Sequence, residues 1–418
     1  MIVIDGPAEL CGELKVQGAK NSTLPLLAAT VLCRGQTVLH NCPHLSDVDT
    51  AVRILEHLGS RCHWQGDSLV VDTSMTCFQI PQELMREMRS SIVFLGAIIS
   101  RCGEAELCFP GGCELGPRPI DLHIDALRRL GVEIEESGGC LRCCAPEGIQ
   151  GTYISLSFPS VGATENIILA AACSRGTTVI ANAAREPEIS DLAAYLNRCG
   201  ARIYGAGEGC IIIDGVKELY GCEHTVMPDR IVAATYMAAA AVTGGNVTLR
   251  DVDNTHILPM LAPFEQSGCS VRQLGRALNI MAPRRLSAVR HIRTMPYPGF
   301  PTDAQPVVMA MAAVGRGTSI FVETIFENRF KHAEGLERLG AKIKVEGKVA
   351  IVEGVEHLTG APVMSHDLRG GAALVVAGLC AQGRTQVDGV EYIRRGYEDL
   401  AGNLADLGAR IREVEEAP

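Results

Sequence analysis

Six times along its length the chain runs an amphipathic segment into a Leu-Gly pair or a near equivalent, then into an alternating stretch. The copies are Leu55-Glu56-His57-Leu58-Gly59, Leu127-Arg128-Arg129-Leu130-Gly131, Leu196-Asn197-Arg198-Cys199-Gly200, Phe264-Glu265-Gln266-Ser267-Gly268, Leu336-Glu337-Arg338-Leu339-Gly340 and Leu404-Ala405-Asp406-Leu407-Gly408. Their glycines are 72, 69, 68, 72 and 68 residues apart, so six units account for the 418 residues. A second marker keeps the same spacing. Small-residue stretches stop at Gly35, Gly103, Gly176, Gly245, Gly317 and Gly383 and pass into β-rich segments such as Thr177-Thr178-Val179-Ile180. Each unit therefore reads as helix, glycine stop, strand, helix, glycine stop, strand hairpin, with both glycine sets expected at helix C′ positions, where φ is positive. The closing stretches, Ala341-Lys342-Ile343-Lys344-Val345 among them, alternate as half-buried strands do.

A unit with two helices and three or four strands cannot bury its apolar surface alone, so the units must associate. Single cores stop growing at roughly 250–300 residues, which divides six units into two α/β domains of three. The polar, motif-dense segments would then meet at an interdomain cleft, a common place for small-molecule sites. An open solenoid is the alternative, but solenoid repeats usually run about 20–45 residues.

Composition excludes several classes. Lys and Arg number 38 against 48 Asp and Glu, a net charge of −10 that disfavours a nucleic-acid binder. The apolar runs Ile231 to Val242 and Ala372 to Cys380 fall well short of the roughly 18–20 residues that span a bilayer, so no membrane partner is expected. The segment Met1 to Pro7 has neither a basic start nor a long apolar run and does not read as a signal peptide. Seventeen cysteines, an odd number without such a leader, are expected to be reduced in a cytoplasmic protein and to act mostly as small hydrophobes. Cys140-Leu141-Arg142-Cys143-Cys144 lacks a second pair at zinc spacing, and no phosphate-binding or dinucleotide loop of known type occurs, so neither a metal nor a cofactor is expected.

Three segments carry chemistry. The loop Pro110-Gly111-Gly112-Cys113-Glu114-Leu115-Gly116-Pro117-Arg118-Pro119 sets a thiol on a glycine hinge near a guanidinium, the setting that makes a cysteine reactive. Gly18-Ala19-Lys20-Asn21-Ser22 presents a point charge and an amide at a helix start, suited to a phosphate. Phe300-Pro301-Thr302-Asp303-Ala304-Gln305 opens an apolar helix, and there Asp303 reads equally well as an N-cap or as a reactive carboxylate. Arg89, Arg230, Arg329, Arg369 and Arg395 each lie beside a marked turn, which points to a locally positive cleft for a multiply charged anion in an acidic chain.

These segments, with Asp47-Val48-Asp49-Thr50, Met88-Arg89-Ser90-Ser91, Ile120-Asp121-Leu122-His123, Ser160-Val161-Gly162-Ala163-Thr164, Asn182 to Ile189, Phe326-Glu327-Asn328-Arg329-Phe330, Asp367-Leu368-Arg369 and Arg395-Gly396-Tyr397, closely resemble the UDP-N-acetylglucosamine enolpyruvyl transferases of the EPSP synthase superfamily, in order and over essentially the whole chain. The resemblance implies two inside-out α/β barrel domains of three βαβαββ repeats each, 20–227 with the Cys113 loop, and 1–19 with 228–418 carrying Asp303. It implies transfer of the enolpyruvyl group of phosphoenolpyruvate to the 3-hydroxyl of UDP-N-acetylglucosamine, an early step of peptidoglycan synthesis, by a monomer, with an oligomer left open. By the same resemblance Cys113 is the general acid and covalent residue, open to the epoxide fosfomycin, and Asp303 is the base. Lys20, Asn21, Arg118 and Arg395 then bind phosphoenolpyruvate, while Arg89, Arg118, Pro119, Ile120, Asp121, Leu122, Ser160, Val161, Gly162, Asp303 and Ile325 contact the nucleotide sugar. The resemblance has two departures, Phe158, where many relatives have a lysine, and Ser46, where some members do, and weaker substrate binding with intact chemistry is the expectation. The rivals are the 3-phosphoshikimate enzymes, which lack the Pro-Gly-Gly-Cys loop, and a nucleotide-sugar sensor, which has no need of an acid or a base.

Overall fold

The computed structural model describes residues 1–109 and 120–414, with the backbone alone at Arg89. They form two compact units, one of 1–17 and 228–414, the other of 18–109 and 120–227.

One four-stranded sheet recurs through both units. In its simplest copy Tyr153–Ser155 lies parallel to Thr177–Ala181, Cys210–Asp214 lies antiparallel on the other side, and Arg202–Tyr204 closes the edge. The helices Val161–Ala171 and Pro187–Arg198 fill the connections. The order is thus first, second, fourth, third, because a parallel pair needs a helical crossover whereas the last two strands form a hairpin. The other five sheets follow the same path, so each unit holds three βαβαββ repeats. Two sheets of one unit take strands from the N-terminus. Ile2–Gly6 is a fourth strand, with Ile4 opposite both Thr385 and Ile411, and Cys11–Lys15 is a first strand beside Asn246–Arg250. In the other unit Leu219–Tyr220 and Glu223–Thr225 return to lie parallel to Cys33–His40.

Helices occupy the centre of each unit. Lys20–Thr30, Phe94–Cys102 and Val161–Ala171 pack together in one, and Arg230–Val242, Gln305–Ala313 and Leu368–Cys380 in the other. Runs such as Ala238-Ala239-Ala240-Ala241 make these helices apolar on every side, as a fully buried helix must be. Small residues bring their axes close. A Cβ at Gly96 would lie 2.3 Å from the carbonyl oxygen of Asn166 on the neighbouring helix. The strands alternate around this centre, with Ile211 and Ile213 buried and Ile212 facing out. Each unit is therefore an inside-out α/β barrel, helices within and sheets without.

Two details depart from the sequence reading. Gly59, Gly131, Gly200, Gly268, Gly340 and Gly408 all take positive φ one residue beyond a helix C-cap. Of the other glycine set only Gly103 caps a helix. The central helices end several residues earlier, at Thr30, Ala171, Ala313 and Cys380, and Gly35, Gly176, Gly317 and Gly383 turn the chain at the sheet instead. In the fourth repeat Gly244, not Gly245, has the positive φ. The second departure concerns the thiols. Cys108 and Cys140 are joined by a disulfide, because strand register places them opposite each other, a pairing invisible without the register. Fourteen other described cysteines are free. No helix among the described residues is long and apolar enough to cross a membrane.

Candidate active site

Asp303 lies in a single 3₁₀ turn, Thr302–Ala304, that leads into the central helix Gln305–Ala313. Its carboxylate does not cap that helix. One oxygen accepts from Arg329 Nη2 at 3.1 Å, and the other from Arg369 Nε at 3.4 Å. Both guanidinium groups are nearly inaccessible, at 1% and 3% exposure, whereas the carboxylate stays 27% exposed. Arg329 also donates from Nε and Nη2 to the Thr302 carbonyl and lies 3.7 Å from Asp367, whose side chain caps the helix Leu368–Cys380. Arg369 reaches the Tyr397 hydroxyl, which in turn meets Thr235 Oγ1 at 2.8 Å. The starts of two central helices, Gln305–Ala313 and Leu368–Cys380, and the 3₁₀ turn Arg329–Lys331 therefore converge on one carboxylate.

His332 Nδ1 bonds the Arg329 carbonyl at 3.1 Å. Burial, with Arg329 adding to it against the pull of Asp367, drives the imidazole down to about 4, so it stays neutral beside the ion pairs. Ile325 lies in the loop after the strand Thr318–Val322, and its amide donates to Glu323 at 2.7 Å. Arg395 is half-buried in the turn that follows the short helix Val390–Ile393.

In the other unit Lys20 is the first residue of its central helix and pairs with Asp47 at 2.7 Å, the two side chains 10% and 4% exposed. Gly18 precedes it because the chain touches another segment there. A Cβ would lie 1.9 Å from the Asn41 carbonyl oxygen. Asn21 is half-buried beside Lys20, and Ser22 bonds Asp191, which also accepts from His224 at 2.9 Å. Ser160 caps the helix Val161–Ala171, accepting from the Ala163 amide at 3.3 Å. Gly162 faces the ring of His123, with room for a Cβ only 3.1 Å from it. His123 is buried, which lowers it to about 4, and its Nδ1 meets the Asn166 amide at 2.8 Å. Ile120, Asp121 and Leu122 start the helix Asp121–Arg129, with Asp121 exposed and the two apolar side chains against the core.

Cys113, Arg118 and Pro119 lie outside the described residues, as does the Arg89 side chain. Arg89 itself opens the 3₁₀ turn Arg89–Val93. Two of the five arginines beside the marked turns are engaged by carboxylates. Arg329 and Arg369 are committed to Asp303, with Asp367 beside Arg329, so they organise a carboxylate rather than stand free for an anion. Two partners escaped the sequence reading. Asp191 offers no motif, and Glu323 looks like one more charged residue after a strand, although it is buried at 1% exposure. Phe158 is 41% exposed. Among the described residues no group of three or more His, Cys, Asp or Glu side chains is placed to hold a metal ion.

Comparison with known proteins adds names. The family model for EPSP synthase (3-phosphoshikimate 1-carboxyvinyltransferase) matches residues 4–404. UDP-N-acetylglucosamine 1-carboxyvinyltransferase 2 of Caldanaerobacter subterraneus subsp. tengcongensis is 52% identical over 98% of this chain and 99% of its own. UDP-N-acetylglucosamine 1-carboxyvinyltransferase 1 of Symbiobacterium thermophilum is 48% identical over 99% and 95%. Among solved structures, the enolpyruvyl transferase NikO from Streptomyces tendae superposes with a TM-score of 0.89 at 25% identity, covering 98% of both chains. EPSP synthase from Acinetobacter baumannii does so at 0.76 with 19% identity over 98% and 99%, a likeness of fold.

Proposed function

The chain belongs to the EPSP synthase family of enolpyruvyl transferases, and from that premise we propose that it moves the enolpyruvyl group of phosphoenolpyruvate onto the 3-hydroxyl of UDP-N-acetylglucosamine, releasing phosphate. The observation that carries this reading is near full-length identity, at 52% and 48%, to two transferases of that name. The product feeds peptidoglycan synthesis, and we place the protein in the cytoplasm.

In the proposed reaction a proton from Cys113 adds to the methylene carbon of phosphoenolpyruvate. The sugar hydroxyl bonds to the neighbouring carbon while its proton passes to Asp303. The resulting ketal then returns a proton from the new methyl group to the Cys113 thiolate and expels phosphate, which takes the proton held by Asp303, restoring the double bond and both side chains. An acid and a base with separate tasks are what such an addition and elimination require. Asp303 suits the second task because Arg329 and Arg369 fix both of its oxygens while it stays 27% exposed to an incoming hydroxyl. Lys20, Asn21, Arg118 and Arg395 hold the phosphate. Asp47, 2.7 Å away, aims the Lys20 ammonium. Arg89, residues 118–122, Ser160 to Gly162, Asp303 and Ile325 take the nucleotide sugar, and backbone amides at a helix start suit its diphosphate.

The test is phosphate release on mixing phosphoenolpyruvate with UDP-N-acetylglucosamine. The family model bears the name of a 3-phosphoshikimate enzyme, which makes 3-phosphoshikimate the control acceptor. Release with that acceptor alone rejects the assignment. Covalent addition of fosfomycin that is lost in Cys113→Ser supports the role of Cys113, and labelling that survives the substitution removes it.

A further inference from the structure

We propose that Glu323 is a positioning residue for the transfer reaction, a buried carboxylate that sets both the Asp303 turn and the loop carrying Ile325. The inference rests on the reading above for the roles of Asp303 and Ile325. Glu323 follows the strand Thr318–Val322 and is 1% exposed. Its Oε1 accepts from the Thr294 hydroxyl at 2.9 Å, the Ile325 amide at 2.7 Å and the Phe326 amide at 3.1 Å. Its Oε2 accepts from the Thr302 hydroxyl at 3.0 Å. One side chain thus ties together three chain segments.

A carboxylate is an unusual choice for joining loops inside a protein. Burying one costs several kcal/mol unless hydrogen bonds replace the lost water, and a neutral side chain avoids that cost. What a carboxylate offers is acceptor capacity on two oxygens with no donor to place. Here all four donors converge on it, and they belong to the segments whose position matters. Thr302 is the neighbour of Asp303, and its carbonyl takes two bonds from Arg329, which itself binds Asp303. Glu323 therefore reaches the base by two routes, along the chain and through Arg329. Its other oxygen fixes the 325–326 amides, on the side assigned to the nucleotide sugar. Catalytic geometry tolerates little error, since a displacement of about 1 Å can cost a hundredfold in rate.

The two arms separate experimentally. Glu323→Gln keeps one carbonyl oxygen for Thr294, Ile325 and Phe326 but turns an amide donor toward Thr302. Thr302→Val removes that arm alone. Both variants are expected to melt close to the wild type, to lower kcat by roughly tenfold or more, and to leave the KM for UDP-N-acetylglucosamine within about threefold. Glu323→Ala, which abandons both arms, is expected to raise that KM as well, and Glu323→Gln to restore it. Wild-type kcat in folded Glu323→Gln and Thr302→Val overturns the proposal, as does a lowered melting temperature with unchanged kinetics. A wild-type protein that releases no phosphate from the two substrates fails the functional reading itself. An active wild type with indifferent variants fails only the role of Glu323.

Discussion

In the unit of 18–109 and 120–227 a cation opens a central helix and a carboxylate holds it, Lys20 against Asp47; in the unit of 1–17 and 228–414 the signs are reversed, with Asp303 held by Arg329. The positions correspond. Lys20 and Asp303 both stand at the start of the first helix of a repeat, and Asp47 and Arg329 both at the start of the second helical segment. In these two repeats a charge pair thus occupies the same place with opposite polarity. The units differ in a further respect. Asp303 has a second guanidinium, Arg369, from the next repeat, and both of its cations are more deeply buried than Lys20. Removing the anion there takes a carboxylate from two buried guanidinium groups, of which Arg329 keeps Asp367, whereas removing Lys20 takes one cation from Asp47.

The largest effect should come from Asp303→Ala. Losing the proposed base lowers kcat by roughly 10²–10⁴, and taking the shared carboxylate from Arg369 and from Arg329, which keeps Asp367, costs about 3 kcal/mol in urea unfolding. Full activity with an unchanged unfolding midpoint would break the comparison at its stronger end. Next is Lys20→Met, which leaves Asp47 buried at 4% exposure without its lysine and costs about 3 kcal/mol. Adding Asp47→Leu should recover most of that stability without recovering turnover, and a double-mutant cycle with no coupling would show the pair to be incidental.

Such pairs show how far the sequence could be read. The six-part period, the sheet hairpins and the segments around Lys20, Ser160 and Asp303 are all written in local spacing, because each depends on neighbours within a turn or a hairpin. What holds these residues is not local. Asp191 reaches Ser22 across 169 positions and Arg369 reaches Asp303 across 66, distances over which neither helical nor strand periodicity speaks. Glu165 is a further case. It sits in the middle of a buried helix, where burial, together with Glu188 and Glu186, pushes its carboxyl well above the usual range. In the sequence it looks like an ordinary helix-forming glutamate.

The units also share a liability that tests whether they respond alike. His123 in one and His332 in the other are each lowered by burial to about 4. An unfolded histidine titrates near 6.5, so below that pH the unfolded chain binds protons that the native chain refuses, and stability falls with pH. Each histidine should cost about 2 kcal/mol between pH 6.5 and 5. His123→Gln keeps an acceptor for Asn166 and removes one of the two titrations. If the pH slope of unfolding does not flatten in this variant, His123 is not a buried neutral group.

The smallest expected effect sharpens the contrast at the helix starts. Asp367 caps its helix with two amide bonds of 3.0 Å and also lies 3.7 Å from Arg329, so its carboxylate is part of the charge network. Ser160 makes one longer bond, 3.3 Å, to Ala163. Ser160→Ala should therefore cost only about 0.5–1 kcal/mol, the low end for a lost cap. The proposed diphosphate contact runs through the backbone of Ser160 to Gly162, which the substitution retains, so the KM for UDP-N-acetylglucosamine should change by less than about threefold. A tenfold rise with stability preserved would move the contact from the amides to the hydroxyl, and would make Ser160 a side-chain ligand rather than a weak cap on a helix left open for an anion.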